Sequence, residues 1–142
     1  MITLARILLT ITVLGYGLAT LKVDLNQTHA ANPKWTPHAR FHVVWQILSY
    51  TGIGLVALYL IWIGEGPAAL RAAAGLSVAI YVAFFAAVLS RPLYGGGLYD
   101  DNGYPPFQPP IGPTSWRWDA NLTVFTGLTI VLAAALVALA LH

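Results

Sequence analysis

The sequence contains no cysteine among its 142 residues, and only 8% of its positions are charged. The absence of cysteine excludes disulfides, thiolate catalysis, cysteine-bound zinc and iron–sulfur clusters. The sequence carries no haem or flavin signal either. A metal ion would therefore have to be bound by His, Asp or Glu side chains. Soluble domains have about a quarter of their residues charged, so this chain lies outside that class.

Charge of either sign is scarce and is not clustered. Seven Lys and Arg residues stand against five Asp and Glu residues, which gives a formal net charge of +2. No basic run or basic face is present, so the distribution argues against a nucleic-acid partner.

Apolar residues make up 58% of the chain, and the mean hydropathy is +0.70. Four apolar runs are long enough to cross about 30 Å of hydrocarbon at about 1.5 Å per residue. The pattern predicts an all-α integral membrane protein, a bundle of four transmembrane helices forming a single domain over residues 1 to 142. The predicted helices cover about residues 2 to 21, 37 to 63, 67 to 90 and 116 to 141. The first of them lacks a small-x-small cleavage site, so we expect it to be retained.

The connections between these helices differ in length. The second and third helices are joined by the tight turn "GEGP", whereas residues 22 to 42 and 91 to 121 form two long connections on the opposite face. The second long connection is rich in proline, which excludes a regular helix, and in aromatic residues, which disordered linkers lack. We therefore expect two ordered loops that cap one face of the bundle. Small residues in the helices, such as Gly15, Gly17, Gly52 and Gly54, predict close helix packing.

The first long connection contains the polar segment "NPKWTPHARFH", residues 32 to 42. Thr36 followed by Pro37 is a helix start signal, a hydroxyl cap before a proline at the first helical position. His38 and His42 are four residues apart. If the second helix begins at Pro37, their side chains project from the same face. Trp45 and Gln46 continue that face towards the bundle.

A second polar face is predicted on the fourth helix, where counting from Trp116 places Asp119 on an inward stripe. Asp24 and His29 lie in the first connection at a similar membrane depth. We expect these groups to form a pocket at the loop-side membrane interface. Its predicted catalytic residues are His38, His42, Asp119 and Asp24, and its predicted ligand-binding residues are Asn32, Trp35, Arg40, Trp45, Gln46, Trp116 and Trp118.

Three uses of such a pocket are open. His29, His38 and His42, with Asp24 or Asp119 as a fourth ligand, match the set that binds a single zinc, copper or iron ion. A histidine beside a carboxylate could also transfer protons to a lipophilic molecule without a metal. Alternatively, the polar side chains satisfy one another and hold the loops in place, which costs little at a membrane interface.

The segment "NPKWTPHARFH" resembles one shared by uncharacterised small four-helix membrane proteins of bacteria and fungi, with the pattern Asn-Pro-x-Trp-x-Pro-His-Ala-(Arg/Lys)-Phe-His. The resemblance covers residues 26 to 46 and implies the four-helix arrangement and a bacterial cytoplasmic membrane. The even number of spans places both termini on one side of the membrane, and the sidedness is open. A more distant similarity, without matching motifs, is to sterol-isomerase and sigma-2-receptor-like membrane domains. That similarity implies a pocket for sterol-like ligands.

The sequence therefore predicts a membrane protein whose polar pocket binds a lipophilic small molecule or a metal ion and can act on it by proton transfer. Enzymatic activity is left open. The alternative is a non-catalytic accessory or structural subunit, which would contact other membrane subunits or further copies of itself. Small size and a loop rich in proline and aromatic residues favour that alternative.

Overall fold

The computed structural model describes residues 1–99 and 103–141, in which helices are joined by loops. Four stretches are long and apolar enough to span a membrane, and α1 and α2 together form the first of them. This confirms the predicted all-α bundle of four transmembrane helices. The helices are α1 Ile2–Gly17, α2 Ala19–Asp24, α3 Pro37–Trp62, α4 Gly66–Ser90 and α5 Ala120–Ala140, with a 3-10 turn at Arg91–Leu93 after α4.

The start of α3 follows from its first residues. The Oγ1 of Thr36 accepts a hydrogen bond from the backbone N–H of Ala39 at 3.2 Å, and Pro37 occupies the first turn. Proline is tolerated there because its missing N–H would have no partner within the helix. The predicted start at residue 37 is confirmed.

The start of α5 differs from the prediction, which placed it at residue 116. The helix begins at Ala120, because the backbones of Phe107 and Trp118 form an isolated antiparallel bridge with N···O distances of 2.9 and 2.8 Å. That bridge holds Trp118 in an extended conformation. The side chain of Asp119 then caps the helix by accepting a hydrogen bond from the N–H of Leu122 at 2.8 Å.

Packing is centred on α1, which lies against α5 and α3. The α1–α3 crossing is close, since a Cβ added to Gly54 would lie only 3.4 Å from the Cα of Gly17. The hydroxyl of Thr51 also donates a hydrogen bond to the carbonyl of Gly17 at 3.1 Å. Such small-residue contacts replace the hydrophobic driving force that lipid surroundings remove.

The two long connections meet on one face of the bundle. The ring of Tyr104, in the second connection, stacks on the ring of His29 in the first, with centroids 6.2 Å apart. The Nδ2 of Asn26 also lies within 3.5 Å of the Tyr104 hydroxyl. The described parts of the two loops therefore cover the loop-side ends of the helices, as predicted.

Candidate functional site

A partly open cavity of about 530 Å³ lies under the two loops, between the loop-side ends of the helices. This volume is within the range of about 300–1,000 Å³ that is typical of small-molecule sites. Its polar lining includes Thr20, Asp24, His29, Gln46 and Asn121, and its apolar lining includes Val23, Val43, Phe84, Val124 and Phe125.

The direction of each helix determines the depth of the lining residues. Asp24 and His29 follow α1 at the loop face, so they line the outer end of the cavity. Phe84 and Phe125 lie about one and a half turns inside α4 and α5. Their rings stack with centroids 4.1 Å apart. The cavity is therefore polar at the loop end and aromatic at the inner end.

Asp24 and His29 form the ionisable pair of the cavity. The Nδ1 of His29 lies 3.8 Å from the Oδ1 of Asp24, and the two side chains are 22% and 23% exposed. The backbone holds this turn, because the N–H of Ala30 donates a hydrogen bond to the carbonyl of Asp24 at 3.0 Å. Both side chains are thus fixed near each other and remain accessible from the cavity.

A hydrogen-bond chain assigns the tautomer of the His29 imidazole. The Nδ2 of Asn26 donates to the carbonyl of Val23 at 2.7 Å, so the Oδ1 of Asn26 is the acceptor for the hydroxyl of Thr28 at 2.6 Å. Since a hydroxyl has one hydrogen, Thr28 must accept from the Nδ1 of His29 at 2.7 Å. In the neutral imidazole the proton is therefore on Nδ1, and Nε2 carries the free lone pair.

Two aromatic rings hold the His29 imidazole in place. Trp35 packs edge-on at a centroid distance of 5.3 Å, and Tyr104 stacks on the imidazole at 6.2 Å. Both rings also line the cavity. The position of the His29 ring is thus set by groups from both loops, whereas its tautomer is set within the first loop.

This arrangement has a defined chemical capability. The Nε2 of His29 can accept a hydrogen bond or a proton, and the carboxylate of Asp24 can stabilise the imidazolium that a proton transfer would form. Apolar and aromatic side chains line the inner side of the cavity. The cavity therefore combines a lipophilic compartment with one acid/base pair.

The predicted pair His38 and His42 lies elsewhere. Both side chains are exposed, and their Nε2 atoms are 3.0 Å apart, on a part of α3 that does not line the cavity. Trp45, predicted on the same stripe, is 59% exposed, and its ring stacks on the imidazole of His42. The predicted stripe exists, but it faces the outside of the bundle.

The helical repeat explains this orientation. Ile47 is buried in the bundle and lies nine residues after His38, or about two and a half turns at 3.6 residues per turn. The two side chains therefore project from opposite sides of α3. The face that lines the cavity carries Val43, Gln46 and Tyr50.

The predicted site residues near the start of α5 do not line the cavity. The carboxylate of Asp119 caps the helix rather than lining the cavity. Trp116 and Trp118 are 48% and 41% exposed in the loop that precedes α5. The expected inward stripe counted from Trp116 does not form, because the chain is not helical before residue 120.

Asn32 and Arg40 also lie outside the cavity lining. Asn32 is buried, its Nδ2 donates to the carbonyl of Thr28 at 2.9 Å, and its Oδ1 accepts from the N–H of Lys34 at 3.0 Å. It therefore folds the first loop. Arg40 is half-buried on α3. Of the predicted site residues, the cavity brings together Asp24, His29, Trp35 and Gln46.

The predicted metal set of His29, His38 and His42 is not assembled. Within residues 1–99 and 103–141, no group of three or more His, Asp or Glu side chains is placed to hold a metal ion. His29 lines the cavity, whereas the other two histidines are on the outer surface of α3.

Several cavity residues were not predicted, among them Tyr50, Tyr104, Asn121, Phe84 and Phe125. A signal was available for Tyr50, which follows Gln46 by four residues and so shares its face. Tyr104 gave no such signal, because its position depends on the fold of an irregular loop.

The chain was compared with known proteins at three levels. No family model matches it, and neither a curated protein nor a solved structure does.

Proposed function

We propose that this membrane protein binds a lipophilic small molecule in the cavity, with the polar end of the molecule at Asp24 and His29. The observation that carries the proposal is the composition of the cavity, in which apolar and aromatic walls lead to one fixed Asp–His pair. Binding sites for small molecules commonly combine apolar walls with a few placed polar groups.

The position of the cavity supports a ligand that arrives from the membrane. Its inner end lies between transmembrane helices, and its outer end reaches the loop-side interface. An amphiphilic molecule in a bilayer has the same distribution, with an apolar body in the hydrocarbon and a polar group at the surface. The cavity thus matches the natural orientation of such a molecule.

The experiment that tests this function compares ligands retained after gentle purification. Val43→Phe adds bulk inside the cavity, whereas Leu48→Phe adds the same ring on the 59% exposed outer face of the same helix. Native mass spectrometry should show a bound small molecule in the wild type and in Leu48→Phe, and its loss in Val43→Phe. Val124→Phe fills the cavity from α5 and should act like Val43→Phe.

Two results would count against the proposal. One is the absence of any non-covalent small molecule from the wild type when lipophilic molecules are also supplied in excess. The other is equal retention in all four proteins at unchanged thermal midpoints, which would place the ligand outside the cavity.

The second candidate is an accessory subunit of a membrane complex, and one observation favours it. His38, Phe41, His42 and Trp45 form an exposed aromatic patch on α3, in which neighbouring ring centroids are 4.5–6.5 Å apart. Aromatic residues are common in protein interfaces and in membrane-interface belts. A Phe41→Ala, Trp45→Ala variant distinguishes these roles, since a docking surface predicts a lower assembly mass in native mass spectrometry.

A further inference from the structure

The polar groups at the outer end of the cavity are unbalanced in charge. Asp24 contributes a carboxylate, and the cavity lining within the described residues contains no Lys or Arg. Lys22 and Lys34, which are near in sequence, are exposed and do not line the cavity. A ligand that enters this end therefore meets a negative charge without a compensating fixed cation.

The tautomer of His29 adds a second acceptor beside the first. Because the Nδ1–H is engaged with Thr28, the neutral imidazole offers only the Nε2 lone pair to a ligand. The carboxylate of Asp24 offers further lone pairs next to the same ring. A ligand group that donates hydrogen bonds satisfies both residues, whereas a group that only accepts displaces water from both without replacing its hydrogen bonds.

The other polar lining residues, which include the hydroxyls of Tyr50 and Tyr104, can donate or accept hydrogen bonds but carry no positive charge that offsets Asp24. The hydroxyl of Thr20 already donates to the carbonyl of Tyr16 at 2.8 Å, so toward a ligand Thr20 is an acceptor. Gln46 and Asn121 can donate hydrogen bonds, but their amides are neutral and also accept. They can hold an additional ligand group without offsetting the charge of Asp24.

The aromatic rings around the pair fit the same chemistry. Trp35 and Tyr104 line the outer end of the cavity and contact His29. Faces of Trp and Tyr rings carry partial negative charge and attract cations. Where such a face borders the cavity, it therefore favours a cationic group over an anionic one.

We infer that the ligand presents a hydrogen-bond donor, a hydroxyl or an ammonium group, to Asp24 and His29, and that anionic ligands are selected against. This inference rests on the proposed function, because it assigns the polar chemistry of a ligand in the same cavity. It divides lipophilic molecules by their head group: alcohols and amines fit the site, whereas carboxylates of the same shape do not.

The test uses three probes with one ring system, namely 1-pyrenemethanol, 1-pyrenemethylamine and 1-pyrenecarboxylate. Each is titrated into wild-type protein in nanodiscs of zwitterionic lipid, and energy transfer from tryptophan to pyrene is recorded. Val43→Phe in the same nanodiscs measures transfer from probe dissolved in the lipid, and the difference between the proteins is cavity binding. Leu48→Phe is the matched control and should behave as the wild type does.

The alcohol and the amine should both bind in the cavity, and the carboxylate should bind at least about tenfold more weakly, because like charges a few ångströms apart repel strongly near a protein surface. Asp24→Asn removes the charge and keeps the size of the side chain. This variant should weaken binding of the amine about tenfold and change the affinity of the alcohol less. It should also reduce the difference in affinity between the alcohol and the carboxylate. Comparison of the affinities of the amine and the alcohol then shows which donor group the site prefers.

The outcomes separate the two proposals. Cavity binding by all three probes with equal affinity would leave the proposed function standing and overturn the donor inference, as would preference for the carboxylate. Unchanged selectivity in Asp24→Asn would overturn it as well. If no probe shows a difference between the wild type and Val43→Phe, the cavity does not bind such molecules, and the proposed function falls with the inference.

Discussion

Asp119 provides a sharp test of the distinction between a structural and a catalytic carboxylate. Its Oδ1 accepts the N–H of Leu122 at 2.8 Å, and its backbone carbonyl accepts the hydroxyl of Thr123 at 2.6 Å. Replacing an N-cap Asp by Ala costs about 1 kcal/mol, within a range of about 0.5–2 kcal/mol. Since the side chain is half-buried and the bond is short, we expect Asp119→Ala to lie near the middle of that range.

The matched variant is Asp119→Asn. Asparagine caps helices about as well as aspartate does. It loses only the charge interaction with the helix dipole, which is worth about 0.3–1 kcal/mol. Asp119→Ala should therefore lower the thermal midpoint by about 3 °C, and Asp119→Asn should lower it less. Both should bind 1-pyrenemethanol as the wild type does, because the carboxylate is outside the cavity lining.

Thermal unfolding in detergent and the pyrene titration measure these two effects separately. The conclusion that Asp119 has no role in binding would be refuted if Asp119→Asn kept its midpoint and lost probe binding. Its assignment as a helix cap would be refuted if Asp119→Ala had the stability of the wild type.

Three further variants test other parts of the structure. The double variant His38→Ala, His42→Ala should change the free energy of unfolding by no more than about 0.5 kcal/mol, as is usual for exposed positions. It should also retain the ligand in native mass spectrometry. Loss of the ligand would show that these histidines contribute to binding. Gly54→Leu should lower stability by about 1–3 kcal/mol through overpacking. Gly52→Leu should be tolerated, because a Cβ there meets no atom within 4 Å. Equal thermal midpoints of the two variants would contradict the close α1–α3 crossing. Thr28→Val removes the acceptor for the His29 Nδ1–H. The ¹⁵N spectrum of the labelled imidazole at alkaline pH should therefore change from the Nδ1–H tautomer to a mixture of both neutral tautomers. A wild-type spectrum with the proton on Nε2 would contradict the assigned tautomer.

The fold could be predicted from the sequence because the spans depend on length and apolar composition, which are local properties. The start of α3 was also predictable, since Thr36 and Pro37 both act within one turn. The start of α5 was not, because the bridge between Phe107 and Trp118 joins residues that are distant in the sequence. Only the fold of the second loop brings those two backbones together.

The wrong orientation predicted for His38 and His42 has a different physical cause. In a soluble helix the polar face is the outer one, so a polar stripe can be oriented from its sequence. In a membrane helix the lipid-facing side is as apolar as the core, and a polar stripe near the helix end can face either way. His38 and His42 were therefore assigned to the wrong side of α3, whereas Gln46 lies at the edge shared by both faces. Asp24, His29 and Trp35 were predicted because they are close in sequence, at and just after the end of the first membrane span.

The location of a bound lipophilic molecule tests the central claim most directly. An alkyl alcohol that carries a diazirine group is bound to the purified protein, irradiated, and mapped by peptide mass spectrometry, with and without excess 1-pyrenemethanol. We predict saturable labelling of the cavity lining at Val43, Tyr50, Val124 and Phe125, which the excess competitor suppresses. Labelling confined to lipid-facing positions such as Leu48 and Ile130, without saturation or competition, would contradict the account.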